Sequence, residues 1–216
     1  MTTALSFVER TLFAFPIRLE TPAMPIPSTA TENELARWLR EGNREAIAVL
    51  IQRHSPRLLR YLVSLVNNPS VAEDVLQETW LRVMEHIDGF NPNCAFMTWL
   101  FAIAHNCAID VLRHEKRFAD PKADERSDES GDWMDRVPDE RPSVLSELQQ
   151  EEMQSRTQKI FAFLPAHYRE VLALRFQQEM PLNEIARAVH LPLSTVKTRI
   201  KRGLELLRDK VAAVER

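Results

Sequence analysis

In this chain of 216 residues, apolar side chains return every three or four positions, first across residues 31–117 and again across 144–216. That period belongs to helices that bury one face. No stretch alternates apolar and polar residues for the length of a strand. The expected fold class is therefore all-α, two small helical domains on a tether. Glycine usage agrees: the chain has four, where average usage of about 7% would give roughly fifteen. Gly-rich phosphate loops and turn-rich β-barrels are both disfavoured.

The tether is residues 118–143. Nine acids face four bases there, a net charge of −5, and Pro121, Gly131, Pro138 and Pro142 punctuate it. Such a stretch reads as an exposed acidic linker, with a flexible reach of about 30 Å. Residues 1–30 hold Pro16, Pro22, Pro25 and Pro27 and read as a flexible leader. The apolar patch 12–17 is short, interrupted by Pro16 and flanked by charge, so neither a signal peptide nor a membrane span is read there. A cytoplasmic protein is expected, without membrane insertion.

Within 31–117, Leu35, Trp38 and Leu39 share a face that Gly42 ends. Ala46, Ile47, Leu50 and Ile51 start a second stripe, continued by Leu58, Leu62, Leu65 and Val66, with Pro56 expected to kink or reset it. After the Asn67-Asn68-Pro69 turn, Ser70 and Glu73 have the spacing of a capping box. The helix that follows buries Val71, Val75, Leu76 and Val83, with Trp80 and Ile87 near its end. A loop over 89–93 leads into a long helix from about Ala95 to Arg117, with a stripe of Phe96, Trp99, Leu100, Ile103, Cys107 and Val111. Met97, Thr98, Phe101, His105 and Asn106 lie off that stripe, and Arg113, His114, Lys116 and Arg117 close it. Aromatic rings beside a basic helix end suit single-stranded nucleic acid. They equally suit an ordinary core and a helix dipole met by cations.

Residues 144–216 read as four helices, the second opened by Pro165 and the third by Pro181. The first carries Leu145, Leu148, Ile160, Phe161 and Leu164. The fourth carries one stripe of Leu193, Val196, Ile200, Leu204 and Leu207. Off it lie Ser194, Thr195, Lys197, Thr198, Arg199, Lys201 and Arg202, and the segment from Ser194 to the end has net charge +4. A short helix, a tight turn and a basic helix with hydroxyls at its start describe a helix-turn-helix. Hydroxyls suit phosphates, and Arg and Lys suit guanine edges or backbone.

Catalysis needs a constellation that the chain lacks. His114-Glu115 is not followed by the second His of a zinc-protease helix, the six histidines are scattered, and no phosphate loop occurs. Cys94 and Cys107 are thirteen apart without a CxxC, so they read as reduced, semi-buried thiols. No enzyme, metal site or cofactor is expected. The competing class is a conventional helix-turn-helix regulator that binds duplex operators unaided.

Residues 72–84 (AEDVLQETWLRVM) and 90–117 (FNPNCAFMTWLFAIAHNCAIDVLRHEKR) closely resemble region 2 of the extracytoplasmic-function (ECF) sigma factors of the sigma-70 family. Residues 164–208 (LPAHYREVLALRFQQEMPLNEIARAVHLPLSTVKTRIKRGLELLR) resemble region 4. The resemblance implies sigma region 2 over 31–117, the linker over 118–143 and sigma region 4 over 144–216. It implies core RNA polymerase and promoter DNA as partners, with an anti-sigma factor besides. The β′ coiled coil would meet Asp74, Gln77, Glu78 and Trp80, and the β flap would meet region 4. Phe90, Asn91 and Asn93 would capture a flipped base of the −10 element. Phe96, Trp99, His105, Asn106, Arg113 and Arg117 would hold the non-template strand. Flipping costs a few kcal/mol, which stacking and phosphate contacts must offset. Ser194, Thr195, Lys197, Thr198, Arg199, Lys201 and Arg202 would read the −35 element, and the acidic linker would cross the polymerase. The chain departs from the family pattern at Asn91-Pro92, Met180-Pro181, His190 and Pro192. Pro192 offers no capping oxygen, so a one-residue shift in the start of the last helix is expected.

Overall fold

A computed structural model describes residues 26, 27, 29–119 and 163–214. The tether, the leader up to residue 25 and the first expected C-terminal helix lie outside the described residues or at their edge. Among those described, every regular element is helical.

The N-terminal body is built from α1 (Glu32–Arg40), α2 (Arg44–Val66), α3 (Pro69–His86) and α4 (Phe96–Ala119), with a single 3-10 turn over Ile87–Gly89. Thr31 caps α1 through a full capping box with Glu34. Gly42 then turns the chain at φ 92°. The two expected stripes of residues 46–66 are one continuous helix. Pro56 sits inside it with its ring exposed, so the ladder loses one bond without ending. Asn67 closes α2 in the left-handed region, at φ 57°.

The capping box expected at Ser70 and Glu73 does not form. Asn68 is the cap of α3: its side chain accepts from the amides of Ser70 and Val71. Pro69 takes the first helical position, where its missing N–H costs nothing. The core of this body joins Leu35, Leu50, Leu58, Leu62, Trp80, Phe96 and Leu100, all fully buried or nearly so.

The C-terminal body holds α5 (Ala166–Leu172), α6 (Leu182–Ala188) and α7 (Leu193–Val214). A π-type turn over Ala173–Gln177 follows α5, and there the amide of Gln178 reaches back to the carbonyl of Ala173. Glu179 then takes φ 56°, with Arg175 donating to the carbonyl of Met180 at 3.0 Å. Gly203 lets α7 lie close against α5: a Cβ there would stand 2.7 Å from Leu172 Cδ1. Val196 is fully buried, and Ile200 and Leu207 partly so. Leu193 and Leu204 of the same stripe are exposed.

The two bodies pack together. α6 lies along α4, and α5 with its π-type turn lies against α2.

Candidate nucleic-acid and polymerase interface

α3 turns Asp74, Gln77 and Glu78 outward, all exposed. Arg82, one turn further on, donates to Glu78 at 2.8 Å and to Asp110 of α4 at 3.2 Å. It thereby holds one acid of this face in place and ties α3 to α4. Trp80 does not belong with them. It is completely buried, and its indole N–H donates to Ser55 Oγ at 3.0 Å. The spacing that puts it next to Gln77 also turns it inward, because positions 76, 80 and 83 share the core face. Trp80 is therefore a core residue and not a polymerase contact.

The loop over 91–95 is held from a distance. Asn33 of α1 donates through Nδ2 to the carbonyls of Pro92 (3.1 Å) and Cys94 (3.3 Å). Its Oδ1 accepts from the amide of Phe96 at 3.0 Å. One amide side chain thus fixes the loop and satisfies a free N–H at the start of α4. Asn91 and Asn93 are exposed at the loop's surface, where Asn91 Oδ1 accepts from the amide of Asn93. Beneath them Phe90, Phe96 and Trp99 pack ring against ring, with centroids 5.2–5.8 Å apart. Phe90 and Phe96 are buried, and Trp99 partly so. Phe90 and Phe96 form the floor under the loop and cannot stack on a base as placed here, contrary to the sequence expectation. Asn106 and Arg113 are exposed on α4. The backbone of Arg117 is helical, within α4.

His105, expected on a strand-facing surface, is buried instead. Its Nδ1 lies 3.3 Å from the Tyr61 hydroxyl and 3.6 Å from Glu170 of α5. Burial pushes its pKa down to about 4, helped by His190, Arg199 and Arg113. Glu170 is itself buried. Burial pushes its pKa up to about 8 against the pull of Arg199, which donates to it at 2.6 Å. The burial of His105 comes from a second covered face of α4, on which Thr98 and Phe101 are also buried.

In the C-terminal body His190 takes φ 53° in the turn between α6 and α7, as a tight turn at a non-glycine residue requires. The amide of Val196 bonds the carbonyl of Pro192. The first helical bond therefore starts at Pro192, and the shift expected there is absent. Ser194, Lys197, Thr198, Lys201 and Arg202 are exposed along one side of α7, with Thr195 half-buried at its start. Arg199 departs from this group, because its guanidinium is turned inward onto Glu170. Among the described residues no helix is long and apolar enough to cross a membrane.

Sequence comparison matches the Sigma-70 region 2 family over residues 50–118 and the Sigma-70 region 4 family over 161–209. The ECF RNA polymerase sigma factor SigW of Bacillus subtilis is 30% identical over 173 residues, covering 80% of this chain and 92% of the relative. The RNA polymerase sigma factor CarQ of Myxococcus xanthus is 31% identical over 179 residues, covering 82% and 95%. Among solved structures, CnrH in complex with the cytosolic domain of CnrY has a similar fold. Its TM-score is 0.61 at 22% identity, over 84% of this chain and 97% of that one. The sigma factor RpoE of Bartonella quintana, in complex with the anti-sigma factor NepR, gives 0.54 at 22%, over 76% and 96%. Two helical bodies in this order define a sigma-70-type initiation factor. Within that class the chain belongs to the ECF sigma factors.

The sequence did not signal four residues that organise the site. Asn33 acts across about sixty positions, and Arg82, Glu170 and Gln178 acquire partners only in the folded chain. Of these only Glu170 carried a visible anomaly, an acid among the apolar positions of residues 166–174.

Proposed function

We propose that the exposed acids of α3 bind core RNA polymerase while the two bodies read two promoter elements. Asp74, Gln77 and Glu78 form an acidic, amide-bearing face for a basic partner surface on the β′ coiled coil, and the C-terminal body meets the β flap. The loop carrying Asn91 and Asn93 takes the flipped −10 base. Asn106, Arg113 and Arg117 follow the displaced strand along α4. Ser194, Thr195, Lys197, Thr198, Lys201 and Arg202 read the −35 duplex, with hydroxyls and basic groups divided between phosphates and base edges. Arg199 supports that helix through Glu170 rather than through DNA. The domain limits are 31–117 and 144–216, with the acidic segment between them crossing the polymerase.

The observation that carries the reading is the exposed polar side of α7 behind the His190 turn, in a chain whose other half matches region 2. Such a factor catalyses no reaction, needs no cofactor and works in the cytoplasm with the polymerase. Its partners include an anti-sigma factor.

The test is run-off transcription with core polymerase on a promoter library. The wild-type chain should select start sites that share two spaced elements. Asp74→Arg with Glu78→Arg should abolish polymerase binding while leaving the helical content unchanged. Operator binding by the free chain, with no effect on polymerase, would favour the conventional regulator.

A further inference from the structure

Asn33 commits its whole side chain to the loop over 91–95. A side-chain amide offers two N–H donors and an acceptor oxygen. Here the donors go to the carbonyls of Pro92 and Cys94 (3.1 and 3.3 Å), and the oxygen takes the amide of Phe96 at 3.0 Å. Pro92 and Cys94 bracket exposed Asn93, so the main chain is held on both sides of that side chain. Inside the loop, the amide of Cys94 bonds the carbonyl of Asn91 at 2.9 Å, and Asn91 Oδ1 accepts from the amide of Asn93 at 3.0 Å.

Asn33 is itself firmly placed. It lies in the first turn of α1, between Thr31 and Glu34, whose side chains bond across it in the capping box. Just before the box, the carbonyl of Ala30 accepts from Arg53 of α2 at 2.6 Å. Just after it, Leu35 and Ala36 are completely buried. An amide carried on a helix anchored at both sides sets a geometry more closely than one carried on a loop. A loop ordered only by the incoming base would lose affinity to that ordering, and a wrong base could reshape it as readily as the right one.

We propose that Asn33 is a positioning residue for −10 recognition: it holds the 91–95 loop in the shape that discriminates between flipped bases, and it acts through the main chain of the loop. Its role rests on the reading of this loop as the one that takes the flipped base. The chemistry is particular to asparagine. Aspartate would keep the bond from the Phe96 amide, and its charge suits the start of a helix. It has no proton for Pro92 or Cys94, and its oxygens would stand against theirs. Alanine would lose all three bonds. Asn33→Asp therefore separates the shape of the loop from the capping of α4.

The experiment uses the full chain assembled with core polymerase. The probes are fluorescent forked promoter fragments, duplex through the −35 element and single-stranded over the −10 element, taken from a promoter chosen by the run-off selection. All four bases are placed in turn at each unpaired position. The quantity read is the ratio of affinities for the best and the worst base, in which a uniform change of charge or of active fraction cancels. The parent should prefer one base at a position where Asn91→Ala with Asn93→Ala removes the preference. Asn33→Asp and Asn33→Ala should each cut that ratio about tenfold, the worth of two lost hydrogen bonds. Polymerase binding, and discrimination between matched and scrambled −35 duplex, should stay as in the parent. An undiminished ratio in both variants overturns the role of Asn33 and leaves the loop assignment standing. A fall in only one of them also overturns it: in Asn33→Ala alone it assigns Asn33 to capping α4, and in Asn33→Asp alone it marks repulsion by the new charge. An equal fall in −35 discrimination marks a general loss of structure and overturns it as well. If Asn91→Ala with Asn93→Ala changes no base preference, the loop reads no base, and that assignment falls together with the role of Asn33.

Discussion

α4 and α7 are the two long helices expected to touch DNA, and they meet solvent differently. α7 keeps one side buried through Val196 and presents Ser194, Lys197, Thr198, Lys201 and Arg202 to solvent on the other. α4 is enclosed on two sides. The core takes Phe96, Leu100 and Cys107, and the C-terminal body covers Thr98 and His105. A strip with Asn106, Asp110, Arg113 and His114 remains exposed along its described length. A duplex reader needs a ready outer surface.

The sharpest way to break this comparison is Phe96→Ala. If the ring is part of the core floor, the N-terminal body should lose about 3–5 kcal/mol in chemical denaturation. A loss under about 1 kcal/mol would return Phe96 to the strand-binding surface. Next, Gly203→Val should destabilise the C-terminal body by about 1–3 kcal/mol, because the added carbons meet Leu172 and Tyr168. Thermal unfolding should show that transition moving ahead of the other.

A pH series tests the charged groups between the helices. Glu170 is raised to about 8 from 4.5, so the stability it contributes is complete below pH 4.5 and is lost as pH rises through 8. His105 is lowered to about 4 from 6.5, so its contribution is complete above pH 6.5 and is lost as pH falls through 4. The two oppose each other in between. Above pH 6.5 Glu170 acts alone of the pair, so stability should fall from there to pH 8. Glu170→Gln, which can still accept a bond from Arg199, should flatten that fall in denaturation midpoints. An unchanged slope would place the titration elsewhere. The smallest structural effect belongs to Lys201→Ala and Arg202→Ala, each within about 0.5 kcal/mol of the parent stability. If either contacts a phosphate, the salt dependence of promoter binding by the reconstituted holoenzyme should lose a slope of about one.

Periodicity alone made much of the architecture legible. The stripes through Leu35 and Leu39, through Leu50, Leu58 and Leu62, and through Val75, Leu76 and Val83 are all core. Those positions are decided within one helix. What stayed illegible depends on distant partners. Asn33 and the 91–95 loop are brought together only by the packing of α1 on α4. The second covered face of α4 exists because another body lies on it, so Thr98 and His105 read as polar positions free for DNA. The Ser70 and Glu73 pattern was genuine, but Asn68-Pro69 offered a better start two residues earlier. Arg199 looked like its basic neighbours until folding placed Glu170 beneath it. The candidate site was thus legible as a set of elements, α3, the loop, α4 and α7. Which side chains faced outward was only partly so.

Asn33 grips the 91–95 loop through main-chain carbonyls and one main-chain amide. Every residue type supplies those carbonyls, so the clasp is indifferent to the identities at positions 91 and 93. The loop's shape and its chemical vocabulary are thereby uncoupled. Substitutions at Asn91 and Asn93 can retune which base is welcomed without rebuilding the socket, which makes this segment the natural interchangeable part for engineering new promoter preferences.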